Sequence, residues 1–198
     1  MKKALLILLC FPAVCQAQTE LLDKFFQKTE QQALKADFTL TVADNASQPM
    51  SYNGTISMQG ERFYLTMWDL EMAYDGTTLY TYTSDTEELT LSTPTEEELK
   101  ESNPILLAKA LAESCQVRYG RNHNTNNKYV IELIPDNKEA GVQKFVLQLQ
   151  ADNLLPISAE MKESATKSTT LLLRNAQYVK APQTFRIDKP NAIINDLR

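Results

Sequence analysis

The sequence predicts a mainly β fold with helices: a strongly curved, incomplete antiparallel β-barrel with an α-helical lid over an apolar cavity. Three observations lead there. Between Ser51 and Ser92, apolar residues occupy every second position in run after run, which places them on one face of a sheet. Gly60-Glu61 and Asp75-Gly76 supply hairpin turn chemistry between those runs. The alternation is then interrupted once, at residues 95–111, by helix signals, and the second of these opens a segment apolar on most of its surface. Roughly ten antiparallel strands must curl or close to hide their edges, and a curved open barrel with helices over its mouth does so.

In chain order, residues 1–17 read as a cleavable export signal. Lys2 and Lys3 start it, Ala4 to Leu9 form its apolar stretch, and Cys15-Gln16-Ala17 is a small-x-small cleavage site. Lipoprotein signals place a small residue before the lipidated cysteine. Here Leu9 precedes Cys10 and Val14 precedes Cys15, so the expectation is a soluble exported protein without a lipid anchor. Cleavage leaves residues 18–198 as one domain, long enough for a proper core. It also removes two lysines from a chain whose formal charge is already −5. An acidic chain lacks the basic footprint of a nucleic-acid binder and does not adsorb lastingly to anionic headgroups. Of three cysteines only Cys115 remains, so no intramolecular disulfide forms.

Thr19 to Leu34 carries helical spacing in Leu21, Leu22, Phe25, Phe26, Ala33 and Leu34, with Thr19 as its cap. The first strand alternates Phe38, Leu40 and Val42, and the strands already named follow. Thr95-Glu96-Glu97-Glu98 is a capping-box pattern. Asn103-Pro104 opens the apolar helix containing Ile105, Leu106, Leu107 and Leu111. Strands resume at Val117–Tyr119, Tyr129–Leu133, Phe145–Leu149, Ile157–Met161 and Thr169–Val179. The tail after Pro182 has no period, but Phe185, Ile187, Ile193 and Ile194 are placed to dock.

Chemistry is hard to find. The single histidine, His123, sits in an Asn-rich stretch and reads as a solvated loop residue. One histidine and one retained cysteine make no ordinary zinc site, there is no G-x-S-x-G, and five glycines offer no phosphate loop. No catalytic residue, metal ligand or cofactor is expected, which leaves binding. The shared apolar phase predicts a cavity lined by Phe38, Leu40, Ile56, Met58, Phe63, Leu65, Met67, Met72, Leu89 and Leu91. Its methionines, with Met161, are adaptable side chains. Ile105, Leu106, Leu107 and Leu111 form the expected lid.

The ordered set Phe38-x-Leu40, Gly54-x-Ile56, Arg62-Phe63-x-Leu65, Tyr74-Asp75-Gly76-x-x-Leu79-Tyr80, Asn103-Pro104, Leu155-Pro156 and Phe185-x-Ile187-x-x-Pro190 resembles the LolA-type periplasmic outer-membrane lipoprotein carriers over essentially the whole mature chain. That resemblance implies an incomplete barrel with a helical lid and no catalysis or cofactor. It implies acylated lipoproteins as cargo, an inner-membrane ABC lipoprotein-releasing transporter as donor and, in some bacteria, an outer-membrane receptor. A monomer is expected. The better-known carriers have an Arg-Pro pair after the family glycine, whose arginine latches the lid. Here the stretch reads Met58-Gln59-Gly60-Glu61-Arg62, making Arg62 the candidate latch. A carrier of free lipid or glycolipid, or a lipoprotein sensor, on the same fold is the alternative.

Overall fold

Phe38 lies directly opposite Gly54, and that pair shows how tightly the centre of the sheet is built. A Cβ at Gly54 would sit 2.0 Å from the Thr66 carbonyl oxygen and 2.6 Å from the Phe38 ring. The ring occupies the space that a side chain would need. This contact belongs to a computed structural model describing residues 13–45, 47–136, 141–180 and 183–198. Most of the expected export signal, residues 1–12, lies outside the described residues.

The described residues begin with helix α1 (Ala13–Gln31), which turns into β1 (Ala33–Asp44). A meander follows: β2 (Met50–Gln59), β3 (Arg62–Met67), β4 (Leu70–Tyr74), β5 (Leu79–Thr83) and β6 (Glu88–Ser92). Helices α2 (Glu96–Ser102) and α3 (Pro104–Ser114) interrupt it. A second meander is β7 (Cys115–Tyr119), β8 (Lys128–Pro135), β9 (Lys144–Gln150), β10 (Pro156–Lys162) and β11 (Lys167–Val179). The tail ends in β12 (Ile193–Asp196). Among the described residues these strands form one unclosed sheet in the order β12-β6-β5-β4-β3-β2-β1-β11-β10-β9-β8-β7. The β1–β11 ladder joins the two meanders, from Ala33↔Val179 to Asp44↔Lys167.

Several boundaries differ from expectation. The first helix ends at Gln31, and Ala33 and Leu34 belong to β1, where Leu34 pairs with Met58 and Tyr178 and is fully buried. Thr19 lies inside that helix rather than at its cap. Strand β5 was not anticipated. Neither was β12, whose pairing with β6 is parallel where an all-antiparallel sheet was expected. In the tail, Phe185 and Ile187 are buried, while Ile193 and Ile194 stand exposed.

The core lies between the sheet's inner face and the helices. Leu22, Phe25 and Phe26 of α1 and Ile105 and Ala108 of α3 pack on Leu34, Met58, Phe63, Ile131, Leu133 and Leu149. A second cluster, Ala73, Tyr80, Leu89 and Ile187, forms on the outer face beneath the tail.

Candidate functional site

Directly opposite residues in an antiparallel ladder share a face, so the register decides which side chains meet. Met72, Leu65 and Ile56 form one inward row, and Met67, Gly54 and Phe38 another. Across β1 the rows continue from Leu40 to Leu171, Ala159 and Leu147. Between these rows and the helices lies a cavity of about 330 Å³. Its sheet wall holds Phe38, Leu40, Ile56, Phe63, Leu65, Met67, Leu70 and Met72 from the first meander and Phe145, Ala159, Met161, Thr169 and Leu171 from the second. Its roof is the α2–α3 junction: Lys100, Glu101, Ser102, Pro104 and Leu107. The deep residues Phe38, Ile56 and Phe63 are buried, whereas Leu40, Leu65, Met67 and Met72 are only partly covered.

The roof is fixed by its caps. Thr95 accepts from the Glu98 N–H at 3.3 Å, and the Glu98 carboxylate accepts from the Thr95 N–H at 2.7 Å, the expected capping box. Asn103 is fully buried. Its Oδ1 accepts from the N–H groups of Ile105 (2.9 Å) and Leu106 (3.4 Å), which starts α3. Its Nδ2 donates to the carbonyls of Gly60 (3.3 Å) and Glu61 (3.2 Å). One amide therefore caps the helix and ties it to the β2–β3 turn. That turn is itself held by α1, through Gly60 N–H to the Thr29 carbonyl at 3.0 Å.

Residues 17–165 match the family model described as outer membrane lipoprotein carrier protein LolA. The chain belongs to that family. Among solved structures, an uncharacterized conserved protein from Thermus thermophilus is similar with a TM-score of 0.60 and 11% identity, over 91% of this chain and 99% of that one. At such low identity this similarity shows a shared fold. Two looser similarities are a putative outer membrane lipoprotein-sorting protein domain from Vibrio parahaemolyticus (TM-score 0.44, 11% identity, 85% and 95% covered) and the Mycobacterium tuberculosis lipoprotein LppX (TM-score 0.48, 8% identity, 89% and 100% covered). Neither bears on the site. No curated protein matches the chain in sequence. Membership of the LolA family, which is periplasmic, supports a role in binding lipids or lipoproteins.

Within this LolA-family fold the expected lining separates into three groups. Phe38, Leu40, Ile56, Phe63, Leu65, Met67 and Met72 come together at the cavity. Met58 does not. It is fully buried below it, against Phe25, Leu34, Ile105 and Ala108 around a void of about 20 Å³. Leu89 and Leu91 lie on the other face. The ladders align Leu91 with Tyr80, Ala73 and Tyr64, and Leu89 with Tyr82 and Glu71, all in the outward phase. Tyr74 and Leu79 carry the inward phase across the β4–β5 turn, and in β6 that phase falls on Thr90 and Ser92.

The four lid residues divide as well. Leu107 faces the cavity, Ile105 is buried in the floor core, Leu111 packs at its edge, and Leu106 faces a groove beside Glu61 and Lys109. Arg62 does not reach the lid. It precedes inward Phe63 and so points outward, donating to Gln59 Oε1 at 3.3 Å with its guanidinium 5.3 Å from the Phe185 ring. It is a tail contact, and the tie between lid and turn is made by Asn103. Of the second meander's contribution to the cavity, the sequence points only to Met161. Phe145, Ala159 and Met161 show the same alternation, but only the β1–β11 pairing brings them beside Leu40.

His123 is not a solvated loop residue. Its ring stacks between Tyr119 (3.6 Å between centroids) and Tyr129 (5.2 Å), and its Nδ1 lies 3.3 Å from the Val130 N–H that donates to it. Burial pushes the Cys115 thiol up, which disfavours the reactive thiolate. Among the described residues no group of three or more His, Cys, Asp or Glu side chains is placed to hold a metal, and no helix is long and apolar enough to cross a membrane.

Proposed function

We propose that this protein is a periplasmic chaperone that holds the acyl chains of lipoproteins and carries them from the inner to the outer membrane. It is a binding protein without catalytic chemistry. On this reading residues 1–17 are removed on export, residues 18–198 work as one soluble domain without a lipid anchor, and cargo comes from an inner-membrane lipoprotein-releasing ABC transporter. The observation that carries the reading is the apolar cavity beneath the α2–α3 roof in a chain of the LolA family. Each methylene taken from water is worth about 0.8 kcal/mol, so a chain of a dozen carbons costs on the order of 10 kcal/mol to expose. Free diffusion of an acylated lipoprotein is then negligible, and a shielding cavity is required. At about 330 Å³ the cavity lies near the low end of the roughly 300–1,000 Å³ typical of ligand sites. Loading several chains requires the roof to move outward about its Asn103 tie.

The test is Leu65→Glu, which sets a charge against the chains while the half-covered position lets the protein fold. Extraction of acylated lipoprotein from inner-membrane vesicles should fall at least about tenfold. Extraction at the wild-type rate by a variant with unchanged circular dichroism would sink the reading.

A further inference from the structure

The apolar lining of the cavity does not stop at its mouth. Trp68 is 77% exposed and Met50 55%. Tyr52 joins them: its ring lies 5.1 Å from the Trp68 ring, and its hydroxyl donates to the Met50 sulfur at 3.6 Å. Tyr52 stands opposite Leu40 and Met50 opposite Val42 in the β1–β2 ladder, so both carry the sheet's inward phase. Trp68 is at the tip of the β3–β4 hairpin, between Met67 and Leu70, and both of these line the cavity. An apolar strip therefore runs from the cavity onto an exposed rim. The rim residue is also strained. Trp68 holds φ +53°, a region that Gly, Asn or Asp adopts readily and a bulky aromatic rarely does.

We propose that this rim is a membrane contact: Trp68, Tyr52 and Met50 enter the headgroup region of a phospholipid bilayer and set the cavity mouth against its acyl chains. Trp and Tyr favour that boundary because the ring is apolar while the N–H or O–H stays wet. Met adapts to disordered chains. Charge selects an apolar contact over an electrostatic one. The chain is formally −5 and Asp69 shares the hairpin tip, so anionic headgroups attract neither. Three shallow side chains give a contact that forms and breaks, as a shuttle between membranes needs. The purpose of the contact rests on the carrier reading; its existence does not.

Trp68 is the single tryptophan of the chain, so its fluorescence reports the rim alone. The full-length mature protein is titrated with phosphatidylcholine vesicles, with and without bromine-labelled acyl chains. The expected result is a blue shift of emission, quenching by the bromine label, and little change with added salt. Trp68→Asn suits the positive φ and should fold as well as wild type, while losing at least about tenfold in vesicle co-flotation. Uptake of a triacylated lipopeptide is measured beside it. Lipopeptide uptake without any vesicle response overturns the rim contact and leaves the carrier reading intact. A vesicle response without lipopeptide uptake sustains the rim contact and sinks the carrier reading. Emission that is blue without vesicles and reddens on dilution would show that a second copy covers the rim, and would also overturn the proposal.

Discussion

Two covers of the sheet, one on each face, are attached in different ways. Helix α3 covers the inner face. It is pinned at its start by the neutral amide of Asn103, packs through Ile105 and Ala108, and adds one half-exposed ion pair, Lys109–Glu30 at 3.2 Å. The C-terminal tail covers the outer face and is fastened along its length. Ile187 is buried against Ala73, Tyr80 and Leu89, Arg186 meets Asp75 at 2.9 Å, Lys189 meets Glu71 at 2.6 Å, and β12 adds a parallel ladder on β6. Tyr64 donates to the same Glu71 carboxylate, and Lys189 lies 4.6 Å from the centre of the Tyr82 ring. The inner cover, tied to the β2–β3 turn at Asn103 and continuous with β7 at Ser114–Cys115, leaves a cavity beside the α2–α3 hinge, whereas the stitched tail packs side chain to side chain on the outer cluster. An apolar face filled by the chain's own tail is structure, whereas one left with a cavity remains available to a guest.

The sharpest way to break this contrast is Ile187→Ala, which removes the apolar centre of the stitched cover. A loss of about 3 kcal/mol is expected in denaturant unfolding, with uptake of acylated lipopeptide unchanged per folded molecule. Uptake that falls with stability would show that the outer cover also shapes the cavity.

Asn103→Ala should cost about 2 kcal/mol, because α3 loses its cap and two turn carbonyls lose their donor. Amide exchange should rise first in α3, and lipopeptide should enter faster. Asn103→Asp sharpens the point. Its oxygen still caps the helix but it cannot donate to Gly60 and Glu61, so it should free the hinge while preserving the helix. Equal exchange in both variants would mean that the two roles of the amide are not separable.

The smallest effect concerns acid. Partial burial alone would raise the Glu71 carboxyl, but hydrogen bonds from Lys189 and Tyr64 and the nearby ammonium outweigh it and hold Glu71 below its ordinary value. Burial alone would likewise raise the Asp75 carboxyl, but the Thr78 and Thr77 amides, Tyr80 and Arg186 outweigh it and hold Asp75 below its ordinary value. Burial and the Glu71 carboxylate together push the Tyr64 hydroxyl up to about 12, so it stays a donor. A carboxylate depressed on folding stabilises above its unfolded pKa, and that stability is lost as pH falls through the folded value. The tail's protection should hold above about pH 5 and weaken below it. The Asn103 tie has no proton to gain. Hydrogen exchange across that range should loosen residues 185–196 ahead of α3, and simultaneous loosening would remove the distinction.

Much of this arrangement can be read from single residues. Thr95 with Glu98, and Asn103 with Pro104, announce both roof helices, and alternation from Phe63 to Met67 announces β3. What alternation does not carry is the relative phase of different strands. Leu89 and Leu91 alternate as cleanly as Leu65 and Met67, yet the β4–β5 connection and its register send them to the other face. Ala33 and Leu34 fit helical and strand spacing equally, and pairing with Met58 and Val179 decides between them. The β3–β4 turn is hidden because Trp68-Asp69 has no glycine, proline or asparagine to mark it. Arg62 illustrates the limit of transfer by resemblance: a one-position change of phase reverses the side of the sheet on which a side chain acts.

Because β1 pairs with β11, the middle of the sheet is made from opposite ends of the chain. Hairpins within each meander close between sequence neighbours on the microsecond scale. The central ladder must wait for residues 167–179, since loop closure over so long a span is slow and yields nothing until the partner strand exists. Ribosomes add about 5–20 residues per second, so β1 remains an unpaired edge for several seconds of synthesis. The cavity spans both sides of that ladder and cannot exist before it forms. A nascent chain therefore has nowhere to hold a lipid, and a pathway that threads unfolded polypeptide meets a protein that locks only when its last long strand arrives.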